Sequence, residues 1–214
     1  MKSFAILLAG LLQSATAFKV HIVSDPNLVT VGDANIFKMT WEKVYALPGN
    51  EQAVSYTLPE HARVGNCREI KSTVDSTVTV EVDSLWGISK DIPIHETREA
   101  IMQSFQRYIE GFAEKENYKM FDHCLACPTP QDGHFCRAWH WGTKLPASVK
   151  VLIADHAGHP TGDYLHVRFS STRHDKPGGG CGVAGAVASG LAGLLPGAAA
   201  LFSVGIDIAC EAVE

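Results

Sequence analysis

The sequence has no Asn-x-Ser/Thr triplet and no two adjacent basic residues, so it offers neither an N-glycosylation acceptor nor a dibasic processing site. It has no G-x-S-x-G elbow and no H-E-x-x-H pair, which removes the local signatures of the α/β-hydrolases and the zincin metalloproteases. Positive charge is in short supply: 18 Lys and Arg stand against 23 Asp and Glu, a formal net charge of -5. That balance lacks the basic footprint of a nucleic-acid-binding protein, and no nucleic-acid partner is expected. Charge of either sign is absent from Gly182 to Ile206.

The N-terminus reads as a leader. Lys2 precedes an apolar core, Phe4 to Leu12, that is too short to span a bilayer, and Ala15-Thr16-Ala17 is a small-x-small cleavage signal. Residues 1–17 are therefore expected to be a signal peptide, with a secreted, extracellular chain beginning at Phe18. The remainder is long enough for one domain, or two small ones, with a substantial core. All six cysteines (Cys67, Cys124, Cys127, Cys136, Cys181 and Cys210) follow the leader. An even number in an oxidising route implies disulfide bonds.

Residues 18–176 read as an α+β domain. Phe18–Val23, Leu28–Val31, Ala53–Leu58, Glu69–Val74, Tyr118–Phe121 and Phe135–Trp141 have strand character, and Ser76–Val82 (STVTVEV) alternates most clearly. Ala34–Leu47 fits either period: Phe37, Trp41, Val44 and Tyr45 share a helical face, whereas Phe37, Met39 and Trp41 alternate. Thr97–Glu114 places Ile101, Phe105, Tyr108, Ile109 and Phe112 on one side of an amphipathic helix, with Thr97 as its cap. Val149–Ala154 and Tyr164–Ser170 are expected to pair as an antiparallel hairpin.

Residues 177–214 stand apart. Pro177 and three glycines read as a flexible lead into an apolar stretch bounded by Cys181 and Cys210 and divided by Pro196-Gly197. The expectation is a helical hairpin closed by a Cys181–Cys210 disulfide. Gly185, Ser189 and Gly193 recur at four-residue spacing, a small face that admits close backbone approach. Leu194, Leu195, Leu201 and Phe202 supply apolar contact area. Each arm would be roughly 20 Å long, short of the ~30 Å hydrocarbon core. The hairpin is thus either buried in a soluble domain or a device that contacts a membrane or partner through these residues. The overall expectation is an α+β fold: an antiparallel sheet, one amphipathic helix and a C-terminal apolar helical hairpin, disulfide-stabilised.

Chemistry-bearing residues cluster late. His123, Cys124, Cys127, His134 and Cys136 have spacings that suit zinc, but an exported chain directs these thiols to disulfides, and no metal or cofactor is expected. Seven of the ten histidines lie between His123 and His174. Among them, His156 and His159 share a loop with Asp155, and His166 lies on the returning strand, the raw material of an acid–base or metal site or of a pH sensor. The plainer reading is a set of solvated loop histidines.

From Thr97 to Ser170 the chain loosely resembles small secreted fungal proteins of effector and killer-toxin type. In one such group an amphipathic helix precedes a cysteine-bearing strand and a D-H-G-G…G-Y-L hairpin. Here the matching residues are Asp155-His156-Ala157-Gly158 and Gly162-Asp163-Tyr164-Leu165, with one substitution and one insertion. The resemblance covers about a third of the chain. It implies extracellular action on a host or competitor cell, through its membrane or a surface protein, and it implies no catalytic residues.

Three functional expectations follow. The first is a secreted, non-enzymatic effector- or toxin-like protein with a membrane-active apolar hairpin. The second is an extracellular hydrolase or metal-binding enzyme using the His156/His159 loop with Asp155 and His166. The third is an extracellular binding module, with Trp41, Trp86, Trp139 and Trp141 as contact aromatics.

Overall fold

The computed structural model describes residues 18–48, 50–63, 76–121, 139–172, 183–184, 187 and 207–210. Nine strands and two helices are found among them: β1 (Lys19–Ser24), β2 (Leu28–Gly32), α1 (Ile36–Tyr45), β3 (Ala53–Ala62), β4 (Ser76–Leu85), α2 (Ile94–Lys115), β5 (Asn117–Phe121), β6 (Trp139–Pro146), β7 (Ser148–Ala154), β8 (Pro160–Ser171) and β9 (Asp207–Cys210). A six-stranded sheet runs in the order β3-β4-β8-β7-β1-β9, and a three-stranded sheet in the order β2-β6-β5.

One bent ribbon joins the sheets. β1 pairs with β7 and β2 pairs with β6, both antiparallel. Between them the chain turns at Asp25–Asn27 on one strand and at Ala147 on the other. Asp25 N–H donates to Ser148 O at 2.9 Å, and Ala147 N–H donates to Asn27 O at 2.8 Å, so the ladder survives the corner. β7 and β8 pair antiparallel as their alternation predicts.

The core lies where α2 crosses this ribbon, packing on β1, β7 and β8 of the large sheet and on β6 of the small one. Its buried stripe is Ile101, Phe105, Tyr108 and Phe112, each 0% exposed. Val20, Ile22, Val151, Ile153, Leu165 and Val167 face it from alternate strand positions. On β4 the alternation is as regular as in the sequence, with Val78, Val80 and Val82 inward and Thr77, Thr79 and Glu81 outward. α2 begins at Ile94, one turn before the expected start. Thr97 is not its cap; it is buried in the first turn, where its hydroxyl donates to Pro93 O.

The expected architecture needs correcting in three respects. There are two sheets. The ambiguous segment 34–47 is a second helix. Residues 207–210, expected in the second arm of a helical hairpin, form β9, which runs parallel to β1 with Ile22 opposite Ile208. The physical reason is an unmet backbone: β1 is bonded to β7 on one side only, and its other edge is satisfied by an added strand. Ile206 and Ile208 alternate around Asp207, a pattern with better strand than helix propensity.

Of the first arm, Val183, Ala184 and Val187 are described; they are helical, and Ala184 and Val187 are buried in the core. Val187 packs on Gly111 of α2, where a Cβ would stand 2.8 Å from the valine Cγ1. Gly111→Ala is therefore expected to destabilise the protein by about 1–3 kcal/mol, against the ~1 kcal/mol gain an exposed helical glycine would give. Urea unfolding measures it, and a stabilised variant would show that the two segments do not touch. Residues 1–17, the strand expected at Glu69–Val74, the linker at 177–180 and the Pro196-Gly197 turn lie outside the described residues, as do Cys67, Cys124, Cys127, Cys136 and Cys181. No helix among the described residues is long and apolar enough to cross a membrane.

Candidate binding site

α1 is set in place by local chemistry. Asn35 caps it, its Oδ1 accepting from Lys38 N–H at 2.8 Å. Ile36, Thr40 and Val44 are buried towards the sheet and α2. Phe37, Trp41 and Tyr45 follow at four-residue spacing on the neighbouring side. Their rings form a ladder, with centroids 4.9 Å apart for Phe37–Trp41 and 4.4 Å for Trp41–Tyr45.

The ladder ends on α2. Tyr45 donates its hydroxyl to Glu99, and Gln103 Nε2 donates to the other Glu99 oxygen at 2.6 Å. The Arg98 guanidinium lies over the Tyr45 ring, 5.3 Å from its centroid. Burial, then the hydrogen bond to Glu99, raises the Tyr45 phenol well above its ordinary value, so Tyr45 remains a neutral donor. Beside this contact opens a groove of about 370 Å³ with Trp41 as its aromatic wall and Glu99, Gln103, Gln106, Arg107 and Glu110 as its polar border. Gln103 Oε1 is buried and has no hydrogen-bond partner among the described residues. Aromatic faces bordered by charged and amide side chains suit a polar macromolecular surface, with Trp41 and Arg107 the anchoring residue types.

On its other flank α1 borders β3, the edge strand of the large sheet. Two grooves of about 310 and 460 Å³ lie along this flank and share Lys43 and Leu58. Tyr56 bridges strand and helix, donating its hydroxyl to Thr40 O at 3.2 Å. Grooves on both of its sides leave α1 standing as a ridge.

The residues expected to carry chemistry take separate places. Asp155 shapes its own turn: one carboxylate oxygen accepts from Ala157 N–H and His159 N–H, both at 2.8 Å, and His159 O accepts from Asp155 N–H at 2.9 Å. Gly158 completes the turn at φ +90. These backbone hydrogen bonds, His159's foremost, hold the Asp155 carboxyl below its ordinary range. The His159 ring is 80% exposed, 3.4 Å from the Asp155 carboxylate, and His156 is exposed in the same turn. His166 sits six residues beyond Pro160 on β8, about 20 Å from the turn at strand rise. The four residues do not meet.

What His166 meets is Ser148, missed in the sequence because no motif surrounds a serine at a strand start. The Ser148 Oγ lies 2.7 Å from His166 Nε2. Asp83 stands opposite His166 in the β4–β8 register, but its carboxylate accepts from the Tyr164 hydroxyl at 2.8 Å. A serine beside an imidazole with a carboxylate near is the outline of a nucleophile–base site. Here both partners are closed in, Ser148 at 5% and His166 at 6% exposure. Burial first, and then the Arg168 and Lys150 cations, pull the His166 imidazole down to about 4, too weak a base for the task.

Trp86 is fully buried and donates its indole N–H to Glu51 O, whereas Trp141 is 49% exposed on β6. Of Trp139 and Cys210 only the backbone is described, and Gly185, Ser189, Gly193, Leu194, Leu195, Leu201 and Phe202 lie outside the described residues. Among the described residues, no group of three or more His, Cys, Asp or Glu is placed to hold a metal. Comparison with protein-family models, curated proteins and solved structures finds no match to this chain.

Proposed function

We propose that the chain is a secreted, non-enzymatic binding protein of effector or toxin type, and that it works through the face built around α1. The observation that carries this reading is the Phe37–Trp41–Tyr45 ladder, held on α2 by Glu99 and Arg98 and bordered by grooves on both sides. The leader-like N-terminus supports export, and the resemblance to secreted effectors supports a partner on a host or competitor cell. Three polar side chains away from this face hold the fold: Asp155 shapes a turn, Asp163 binds backbone, and His166 is closed in against Ser148.

The test is saturable binding of labelled residues 18–214 to the surface of candidate host and competitor cells. Trp41→Ala and Arg107→Glu are expected to weaken binding by about tenfold or more, and Trp141→Ala on the small sheet by less than about twofold. Equal loss in all three, or no saturable binding to any cell, would overturn the reading. A hydrolase remains the second reading on one observation, the 2.7 Å Ser148–His166 contact. It requires an ester- or peptide-cleaving activity that Ser148→Ala abolishes while leaving the urea midpoint close to that of the parent.

A further inference from the structure

Among the described residues β3 is an edge strand of the large sheet, closed beyond its far end and open at its near end. Trp86 N–H donates to Gln52 O, and the β3–β4 register continues from that pair, so even-numbered β3 residues turn their backbone groups to β4 and odd-numbered ones turn theirs outward. At the far end this outward row is closed. Arg63 exchanges two backbone hydrogen bonds with Asp33, its N–H to the Asp33 carboxylate at 2.8 Å and its carbonyl from Asp33 N–H at 3.1 Å. Pro59 removes one further donor from the row, at a position where an edge strand tolerates proline. At the near end, Ala53, Ser55 and Thr57 present N–H and C=O groups that have no backbone partner among the described residues. An open ladder of this kind is a template for one more strand.

The open half runs beside α1. The two grooves on this flank join end to end at Lys43 and Leu58 and follow β3 from Ala53 to Glu60. Side chains of an added strand would alternate into them, next to Leu47, Tyr56 and Leu58. The charge pattern gives the occupant its chemistry. Lys43 is exposed at the junction and makes no ion pair among the described residues, while Lys38 is already opposite Glu42 at 4.0 Å. Glu51 and Glu60 stand at opposite ends of the joined groove.

We infer that the β3 edge and α1 form a docking groove for an extended segment of a partner protein, taken up by strand addition at Ala53–Thr57, with a central acidic side chain meeting Lys43. The inference rests on the binding-protein reading and specifies what that partner presents. Main-chain hydrogen bonds supply the affinity, and the groove beside α1 selects the alternate side chains.

The probe is a phage-displayed random dodecapeptide library selected on immobilised residues 18–214. Expected is enrichment of β-branched, alternating peptides with a central Asp or Glu. Their binding should fall by about tenfold or more in Thr57→Pro and in Lys43→Glu, and amide exchange at Ser55 and Thr57 should slow when peptide is bound. Thr57→Pro removes an outward N–H and fixes φ at an edge position where strands tolerate proline, and Lys43→Glu alters an exposed side chain and no backbone donor. The inference is overturned if no such peptide is enriched, if enriched peptides bind both variants as well as the parent, or if the chain dimerises in a way that Thr57→Pro abolishes, which would assign the edge to a second copy. Loss of peptide binding in Thr57→Pro with cell-surface binding intact would sink strand addition as the mode of cell attachment and leave the binding-protein reading standing. Absence of saturable cell binding in the parent sinks that reading separately.

Discussion

Asp163→Ala is expected to destabilise the fold by about 4 kcal/mol, because it strips three donors of the buried carboxylate they share. Asp163 is 0% exposed. Its Oδ1 accepts from Ile88 N–H at 2.9 Å, and its Oδ2 accepts from Ser89 N–H at 3.3 Å and from the Thr161 hydroxyl at 2.7 Å. Ile88 and Ser89 belong to the link between β4 and α2, so a β8 carboxylate holds the segment that aims the core helix. Asp163→Asn keeps one acceptor oxygen and should lose about half as much. Equilibrium urea unfolding checks both: the midpoint falls in that order with an unchanged slope. A loss within ~0.5 kcal/mol for the alanine variant would show that the backbone donors find other partners.

Lowering the pH from 7 to 4 should destabilise the parent protein by about 3 kcal/mol more than His166→Gln. Burial holds the His166 imidazole at about 4 in the fold, with Arg168 and Lys150 adding to the effect and Asp83 and Glu81 opposing it, against an ordinary 6.5. Above pH 6.5 the ring is neutral in both states and contributes no pH dependence. As the pH falls below 6.5 the unfolded chain takes up a proton that the folded one refuses, and stability drops. The drop ends near pH 4, where the folded state is protonated as well. Glutamine does not titrate and still reaches Ser148 with a polar group, so the difference between the two stability curves isolates the imidazole. Parallel curves would mean that the ring takes up its proton equally in the folded and unfolded states, so that burial does not shift it. A sensor built from this histidine would respond near pH 4, not in the pH 6 to 7 range of an unperturbed imidazole.

Much of the scaffold was legible because its signals are local. The alternation of Ser76–Val82 names the inward face of β4, and the spacing of Ile101, Phe105, Tyr108 and Phe112 names the buried stripe of α2. Thr97 misled, since a threonine near a helix start serves a cap or a buried first turn equally well from sequence; Pro93 decided for the latter. In the turn and strand from Asp155 to Leu165, Asp155 and Gly158 make a turn, and Asp163 is a buried tie between β8 and the β4–α2 link. Both are devices of fold.

The candidate site was half legible. Phe37, Trp41 and Tyr45 lie at helical spacing in the sequence, but the same run alternates, and only packing against α2 and β4 settled the period. The partners that make it a site, Glu99, Gln103 and Lys43, carry no motif. They matter because α2 and β3 come to lie on either side of α1, a consequence of the bent ribbon that sequence spacing does not encode.

The same division runs through the C-terminus. Charge-free composition from Gly182 to Ile206 already demanded burial or an apolar partner, because such surface is costly in water. Whether residues 207–210 met it as helix or strand was decided elsewhere, by the unpaired edge of β1. Alternation, helical stripes and turn residues are properties of a few neighbours and can be read along the chain. Strand partners, helix neighbours and the burial of Ser148 with His166 depend on residues far apart in sequence, so they exist only once the backbone groups have found one another.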